Sequence, residues 1–397
     1  TTATSAAVTI TVNNTTPPPG SSVLAQTAAS MQPGEWKQLT TNGFNNGGIL
    51  EVSCAPSNVV EYADSGTWDP ISKQFLFYGA SHGSCYGQKL LIYRESDNSW
   101  GTGPLYPGSC SGNNGCFEHA YHQNTMNPAT GDLFYRPYGS NSIHKYATNG
   151  NQQWSTTTAQ VPNGTSNCCG AIEYFPEMGG IVWINGPFKS LHLLNSSTGQ
   201  WSTLATNLAI GGYDNVIEYS PVHHVMLIGG GRNAGRVLYK LDASGQVTRL
   251  ADAPTDVLAG SIYSLSSIDP VSGNLLGFSP EGNYYEYNVA TNAWRQIAGQ
   301  HPLKDAYGEY FELAEASLTP HGVSMFVKHA PAAVWLYKHS MGALDTVAPA
   351  VALTSPANNA NVSGAAVSVS ANATDNVGVA GVQFKFDGVN VDSEDTA

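Results

Sequence analysis

The sequence predicts an all-β protein whose main body is a six-bladed β-propeller, and three observations predict it. First, a turn followed by a Trp and a short alternating run recurs. It reads ATNAWRQI at Ala290–Ile297, and again PGEWKQL at Trp36, DNSWGTG at Trp100, NQQWSTT at Trp154 and TGQWSTL at Trp201. A degenerate copy, SGQVTRL, carries Val247 in place of the Trp. Second, six apolar runs end in Pro: GTWDP, NTMNP, IEYFP, IEYSP, SSIDP and ASLTP, closing at Pro70, Pro128, Pro176, Pro221, Pro270 and Pro320. Together they set a repeat of about 45–60 residues, which signals an array of like units. Four short strands per unit, with turn residues between them, favour a propeller over a helical solenoid. Third, the two series are out of phase. The Trp36 phrase precedes every Pro-ended run, while the run ending at Pro320 is followed by no Trp phrase. Gly34–Leu39 is therefore expected to form the outer strand of the last blade, beside Val334–Lys338, and to close the ring without an unpaired edge. The propeller should span about residues 34–340.

The segments outside that span read differently. TTPPPG at Thr15–Gly20 and DTVAP at Asp345–Pro349 have linker composition, so residues 15–33 and 341–350 are expected to be linkers. Residues 1–14 contain one alternating strand, SAAVTITVNN, and residues 351–397 contain three or four more with Asn/Gly/Asp turns. The phrases TSPANNANVSG and ATDNVGVAGVQFKFDG resemble bacterial Ig-like modules, which occur in tandem on secreted and surface proteins. That resemblance implies a partial β-sandwich at the C-terminus and the last strand of another such module at the N-terminus. The sequence reads as one propeller cut from a string of Ig-like spacers, in a secreted or cell-surface protein.

Composition narrows the function. Charged residues make up 11% of the 397, and the net charge is −13, which argues against nucleic acid or an anionic membrane as partner. No apolar run is long enough to insert into a bilayer. The six cysteines, an even number in a secreted-looking chain, read as disulfides: Cys110 with Cys116, Cys54 with Cys85, and Cys168 with its neighbour Cys169. No CxxC pair is present, so a thiolate metal site is not expected.

In a propeller, function gathers in the loops on the face where inner strands begin. The loops leading into the inner strands carry Glu61, Tyr62, Asp64, His119, Tyr121, His122, Tyr213, Asp214, Asn215, Tyr263, Glu312 and Glu315. The loops joining second to third strands add His82, Arg136, Tyr138, Lys189, Arg232, Arg236, Glu281, Lys328 and His329. In a chain this poor in charge, one face thus concentrates His, Tyr, Arg and Glu.

Tyr and His near Arg are the groups that β-elimination of a uronate polysaccharide needs. A cation neutralises the substrate carboxylate and acidifies the C5 proton, a base removes that proton, and an acid protonates the leaving oxygen. His122 is the expected base, with His82 as second candidate. Tyr213 or Tyr121 is the expected acid, and Arg232 or Arg136 the neutralising cation. His119, Asn215, Asp214, Lys189, Tyr263, Glu312 and His329 are expected to bind substrate. The layout is similar to that of propeller polysaccharide lyases, and the Trp-ended repeat resembles kelch and galactose-oxidase-like propellers. Two departures stand against those families. Only Gly229–Gly231 approaches the kelch Gly pair, and no copper ligands can be placed.

The expected partner is thus an extracellular polysaccharide, with tandem Ig-like modules in the parent chain. No cofactor is expected. The alternatives are a carbohydrate-binding or adhesive propeller without chemistry, and a glycoside hydrolase pairing Glu312 and Glu315 with Asp64 or Asp214. A third is a structural divalent cation, calcium or zinc, on His119 and His122 with His82 or Asp64.

Overall fold

The computed structural model describes residues 21–52, 58–80, 87–107, 120–140, 142–156, 162, 170–260, 263–304, 311–340, 350–357, 360–363, 366–374, 382–386 and 389–391. His82, His119 and the cysteines at 54, 85, 110, 116, 168 and 169 lie outside the described residues, and so do the strand expected in residues 1–14 and the disulfides.

Six antiparallel four-stranded sheets follow one another along the chain, at residues 67–103, 124–156, 172–205, 215–249, 265–297 and 313–338. The fold is a six-bladed β-propeller. The inner strands are Thr67–Asp69, Asn124–Asn127, Ile172–Phe175, Asn215–Ser220, Leu265–Ile268 and Leu313–Leu318. Each neighbours the next and the last neighbours the first, so the ring is closed. Each inner strand ends within two residues of its Pro, where the missing N–H and fixed φ stop the ladder.

The sixth blade has only three strands of its own, and the fourth comes from the other end of the chain. Glu35–Gln38 pairs antiparallel with Ala333–Lys338, in the register Glu35↔Lys338 to Gln38↔Trp335. Backbone bonds across the same junction join the innermost edges: Gly66 N donates to Glu315 O at 2.6 Å and Glu315 N to Asp64 O at 3.1 Å.

The Trp phrase has a packing reason. Each outer-strand Trp leans back onto the preceding blade. Trp100 Nε1 donates to Thr41 Oγ1 at 2.9 Å, Trp154 Nε1 to Pro104 O at 2.7 Å and Trp294 Nε1 to Ala251 O at 3.0 Å. Trp36 stacks on Tyr337 at 4.3 Å and meets Phe278 of blade five edge-on at 6.0 Å. A large ring with one polar atom suits that seam, because its body joins the apolar cluster while, at Trp100, Trp154 and Trp294, the N–H finds a carbonyl or hydroxyl. In blade four, where Val247 replaces the Trp, the smaller side chain packs into the cluster shared with blade three.

Residues 22–33 are not a plain linker. Val23–Ser30 is an α-helix, with Ser22 as N-cap accepting from Ala25 N at 3.0 Å. Leu24, Ala28 and Met31 bury into the core between blades six and one, so this helix belongs to the propeller. The linker-like PPPG before it hid a helical run of moderate propensity, VLAQTAAS.

The chain divides into a unit of residues 19–340 and a unit of Thr1–Pro18 with Met341–Ala397. In the second, Ala350–Ser355 pairs with Ser370–Thr374 and Lys385–Phe386 with Val389–Asn390, antiparallel in both cases. No helix among the described residues is long and apolar enough to cross a membrane.

Candidate functional site

Two top-face loops of blade four carry the exposed part of the site, and glycines let them touch. Gly211 N donates to Gly230 O at 2.9 Å, and Arg232 N to Tyr213 O at 3.0 Å. A Cβ on Gly211 would stand 2.6 Å from Arg232 O, so only glycine permits this approach. Asn215 staples the two loops, its Nδ2 donating to Gly211 O at 3.0 Å and to Gly230 O at 3.2 Å. Expected as a substrate ligand, Asn215 is buried under the loops it joins.

The result is a cation laid on an aromatic ring. The Arg232 guanidinium lies 4.8 Å from the Tyr263 ring centroid and its Nη2 donates to Tyr263 Oη at 2.9 Å. Arg232 is half-exposed, and Tyr213 and Tyr263 are exposed beside it. Behind Arg232 stands Asp214, 3% exposed, with Oδ2 3.7 Å from Arg232 Nε. Its backbone takes a left-handed φ of 57°, a conformation Asp tolerates better than most residues, and this turns the carboxylate inward. Burial raises the Asp214 pKa to about 7, against the pull of Arg232 and with Asp64 adding to the rise.

Tyr121 and His122 lie deeper. Tyr121 sits between Tyr62 and Tyr138, ring centroids 6.5 and 6.2 Å away. Burial pushes its phenol well above the usual range, and Asp214, Tyr138 and Tyr62 push it further while Arg232 opposes. It therefore holds its proton at every physiological pH. His122 is 4% exposed, with Nδ1 at 3.4 Å from Asp64 Oδ1, an ion-pair separation. Burial alone would lower the imidazole's pKa. The Asp64 carboxylate, with Glu218 and Glu173 beyond it, outweighs burial and holds the value at about 9.

Those two glutamates went unnoticed in the sequence. Glu173 and Glu218 occupy the same place in inner strands IEYF and IEYS, and Glu315 stands in the inner strand of blade six. Burial pushes Glu173 up to about 8, with Glu218 adding and His122 opposing. Burial also raises Glu218 and Glu315. Ser266 donates to Glu218 at 2.6 Å and Ser267 to Glu315 at 2.6 Å. A Glu in the middle of an otherwise apolar inner strand, twice in register, was the signal that could have revealed them.

Other expected site residues sit elsewhere. Arg136 is fully buried, its guanidinium 5.1 Å from the Trp183 ring centroid, and burial lowers its pKa to about 10. Expected as a rim cation, it is a packing cation between blades two and three, out of a substrate's reach as placed. Lys189 is exposed on blade three, with Nζ donating to Ile210 O at 3.2 Å. Glu312 and His329 form a separate cluster at blade six. His329 Nδ1 lies 3.0 Å from Glu312, its Nε2 3.0 Å from Glu51, and Asn58 Nδ2 donates to Glu312 at 3.1 Å. Glu312 and Glu315 thus have separate partners, His329 and Ser267. Among the described residues, no group of three or more His, Cys, Asp or Glu is arranged to hold a metal ion.

Comparison with known proteins agrees with this architecture. Residues 349–397 match the bacterial Ig domain family. No curated protein matches the chain. A protein of unknown function from Bacteroides thetaiotaomicron is similar in structure, at 10% identity and a TM-score of 0.51, over 76% of this chain and 75% of that one. An auxiliary nutrient binding protein from Bacteroides ovatus superposes with a TM-score of 0.48 at 9% identity, over 70% of this chain and 69% of its own. A catalytically inactive virginiamycin B lyase from Staphylococcus aureus gives 0.46 at 11%, over 72% and 82%. The likeness to the Bacteroides thetaiotaomicron protein is one of fold.

Proposed function

We propose that the propeller engages an acidic extracellular polysaccharide on its top face, in a surface-attached or secreted protein carrying Ig-like modules. One observation carries this reading: the half-exposed Arg232 guanidinium held over Tyr263 and bonded to its hydroxyl, with Tyr213 exposed beside it. A guanidinium with free N–H groups offers a planar fork to a carboxylate or sulfate, and exposed tyrosine rings offer faces to pyranose C–H groups. In a chain of net charge −13, a local cation of this kind selects its anion by contact rather than by long-range steering.

A second reading, cleavage of a uronate polymer by β-elimination, is favoured by Tyr121. Its phenol stays protonated close to Arg232, as an acid for the leaving oxygen requires. The role first expected of His122 changes on this reading. Held on Asp64 with a pKa of about 9, it is charged at neutral pH and cannot accept a proton, so it would stabilise charge. His82, the second candidate, is then the remaining base.

Affinity electrophoresis in gels containing polygalacturonate, alginate, ulvan or neutral dextran tests the first reading. Retardation by the acidic polymers, lost in Arg232→Ala, is expected, and equal retardation by dextran overturns it. Ultraviolet absorbance of the unsaturated product during incubation with the same acidic polymers tests the second, and a flat trace across the panel retires it.

A further inference from the structure

Asp214 is an oddity of the platform: an anion placed behind the cation that faces solvent. Among the described residues its Oδ1 is buried without a hydrogen-bond partner, and its Oδ2 is 3.7 Å from Arg232 Nε, too far for a hydrogen bond and close enough for attraction. The left-handed backbone that aims it inward is fixed by neighbours. A Cβ on Gly260 would stand 1.9 Å from Asp214 O, and Asn215 clamps the adjoining loop from below. The carboxylate is 3% exposed and stands behind Arg232, so it acts on a ligand through Arg232.

We infer that Asp214 is a positioning residue that sets how strongly the top face prefers acidic over neutral polysaccharide, by competing with the ligand's anion for Arg232. The inference rests on the proposed acidic-polysaccharide reading. When Asp214 is ionised, Arg232 is partly neutralised from behind. When Asp214 is protonated, the whole guanidinium charge is available to the ligand. Burial places that change at about pH 7, inside the range a secreted protein meets. A bound anion occupies Arg232 and raises the Asp214 pKa further, so binding takes up a proton. By linkage, affinity is highest below about pH 7 and falls as pH rises through that value. The other groups around Asp214 are Arg232, Asp64 and Tyr121, with His122 behind Asp64 and Tyr263 under Arg232. Tyr121 keeps its proton throughout, and His122 loses its proton only near pH 9.

The test is calorimetric titration of the full chain with polygalacturonate, whose carboxylates are ionised throughout, from about pH 6 to about pH 8.5. Dextran is the neutral control. Wild-type affinity for polygalacturonate is expected to fall about three- to fivefold across the range, with any dextran binding unchanged. Asp214→Asn removes the titrating charge with little change of shape. It should match wild type at the acid end and keep that affinity at the alkaline end. A pH-independent wild-type affinity overturns the inference even if the variant does not fold. So does an Asp214→Asn protein that is weaker at both ends, which would mark a merely structural role. If wild type binds no acidic polymer, or Arg232→Ala binds it normally, the underlying reading fails as well. If Arg232→Ala abolishes binding but the wild-type profile is flat, only the Asp214 inference fails.

Discussion

Two charged clusters occupy the top face of this propeller, and the sequence placed members of both, Arg232 with Asp214 and His329 with Glu312, in the same two families of functional loops. In the first, His329 is held at 3.0 Å by Glu312 on one side and by Glu51 on the other, and Asn58 bonds Glu312 from a third direction. In the second, Arg232 meets Asp214 only at 3.7 Å, spends one N–H on Tyr263, and is half-exposed. The first is closed upon itself, and it joins the loop before the inner strand of blade one to blade six, beside the ring closure. The second has spare donors facing solvent. The difference teaches that the presence of His, Glu and Arg in a functional loop says little, whereas hydrogen-bonding capacity left over after folding points to a ligand.

The largest effect expected lies beneath both clusters. His122→Ala leaves Asp64 buried without its cation, in a region already holding Glu173 and Glu218, and should cost about 3–5 kcal/mol in urea denaturation. The pH dependence has a definite sign. The folded pKa of His122 is raised to about 9, so its contribution is fully present below about pH 6.5 and lost as pH rises through 9. Glu173 and Asp214, raised to about 8 and about 7, act in the same direction: each weakens the fold as pH rises from the ordinary carboxylate range up to its folded value, and no further above it. Thermal melts should therefore decline steadily from about pH 6.5 to about pH 9.5. A melting temperature that rises over that interval would show that the ion pair does not hold the centre of the ring.

Next in size is His329→Ala. It leaves Glu312 and Glu51 facing each other without a cation, at partly exposed positions, and should cost about 1–2 kcal/mol. Polysaccharide retention should not change. A variant that keeps its stability but loses retention would reverse the assignment of the two clusters.

The sequence and the structure part company where direction matters. The blades were readable because their signals are local: Pro stops each inner strand, and each Trp needs the seam beside the preceding blade. The closing strand was readable because the two series of signals are offset by one. Helix Val23–Ser30 was not, since eight residues of moderate propensity after a Pro-rich run are ambiguous until Leu24, Ala28 and Met31 find a core. At the site, loop position placed Tyr213, Arg232, Asp214 and Tyr263 on one face, among some twenty candidates. It could not foretell that Arg136 would turn in under Trp183, nor that Asn215 would be spent on backbone carbonyls. Those outcomes depend on which neighbours each side chain meets, Trp183 for Arg136 and the carbonyls of Gly211 and Gly230 for Asn215, and these are set by the packing of separate loops.

The smallest stability effect belongs to Arg232→Ala, and that smallness makes it the sharpest test of the comparison. Its ion pair is long, its guanidinium is half in water, and Asp214 can take up a proton near neutral pH once the cation is gone. Truncation should change folding stability by less than about 0.5 kcal/mol. On the proposed reading the same truncation should cost about tenfold in affinity for polygalacturonate, because it removes the cation that would meet the anion directly. If Arg232→Ala proves as destabilising as His329→Ala, the platform is a structural clasp like its neighbour, and the ligand must be sought elsewhere on the ring.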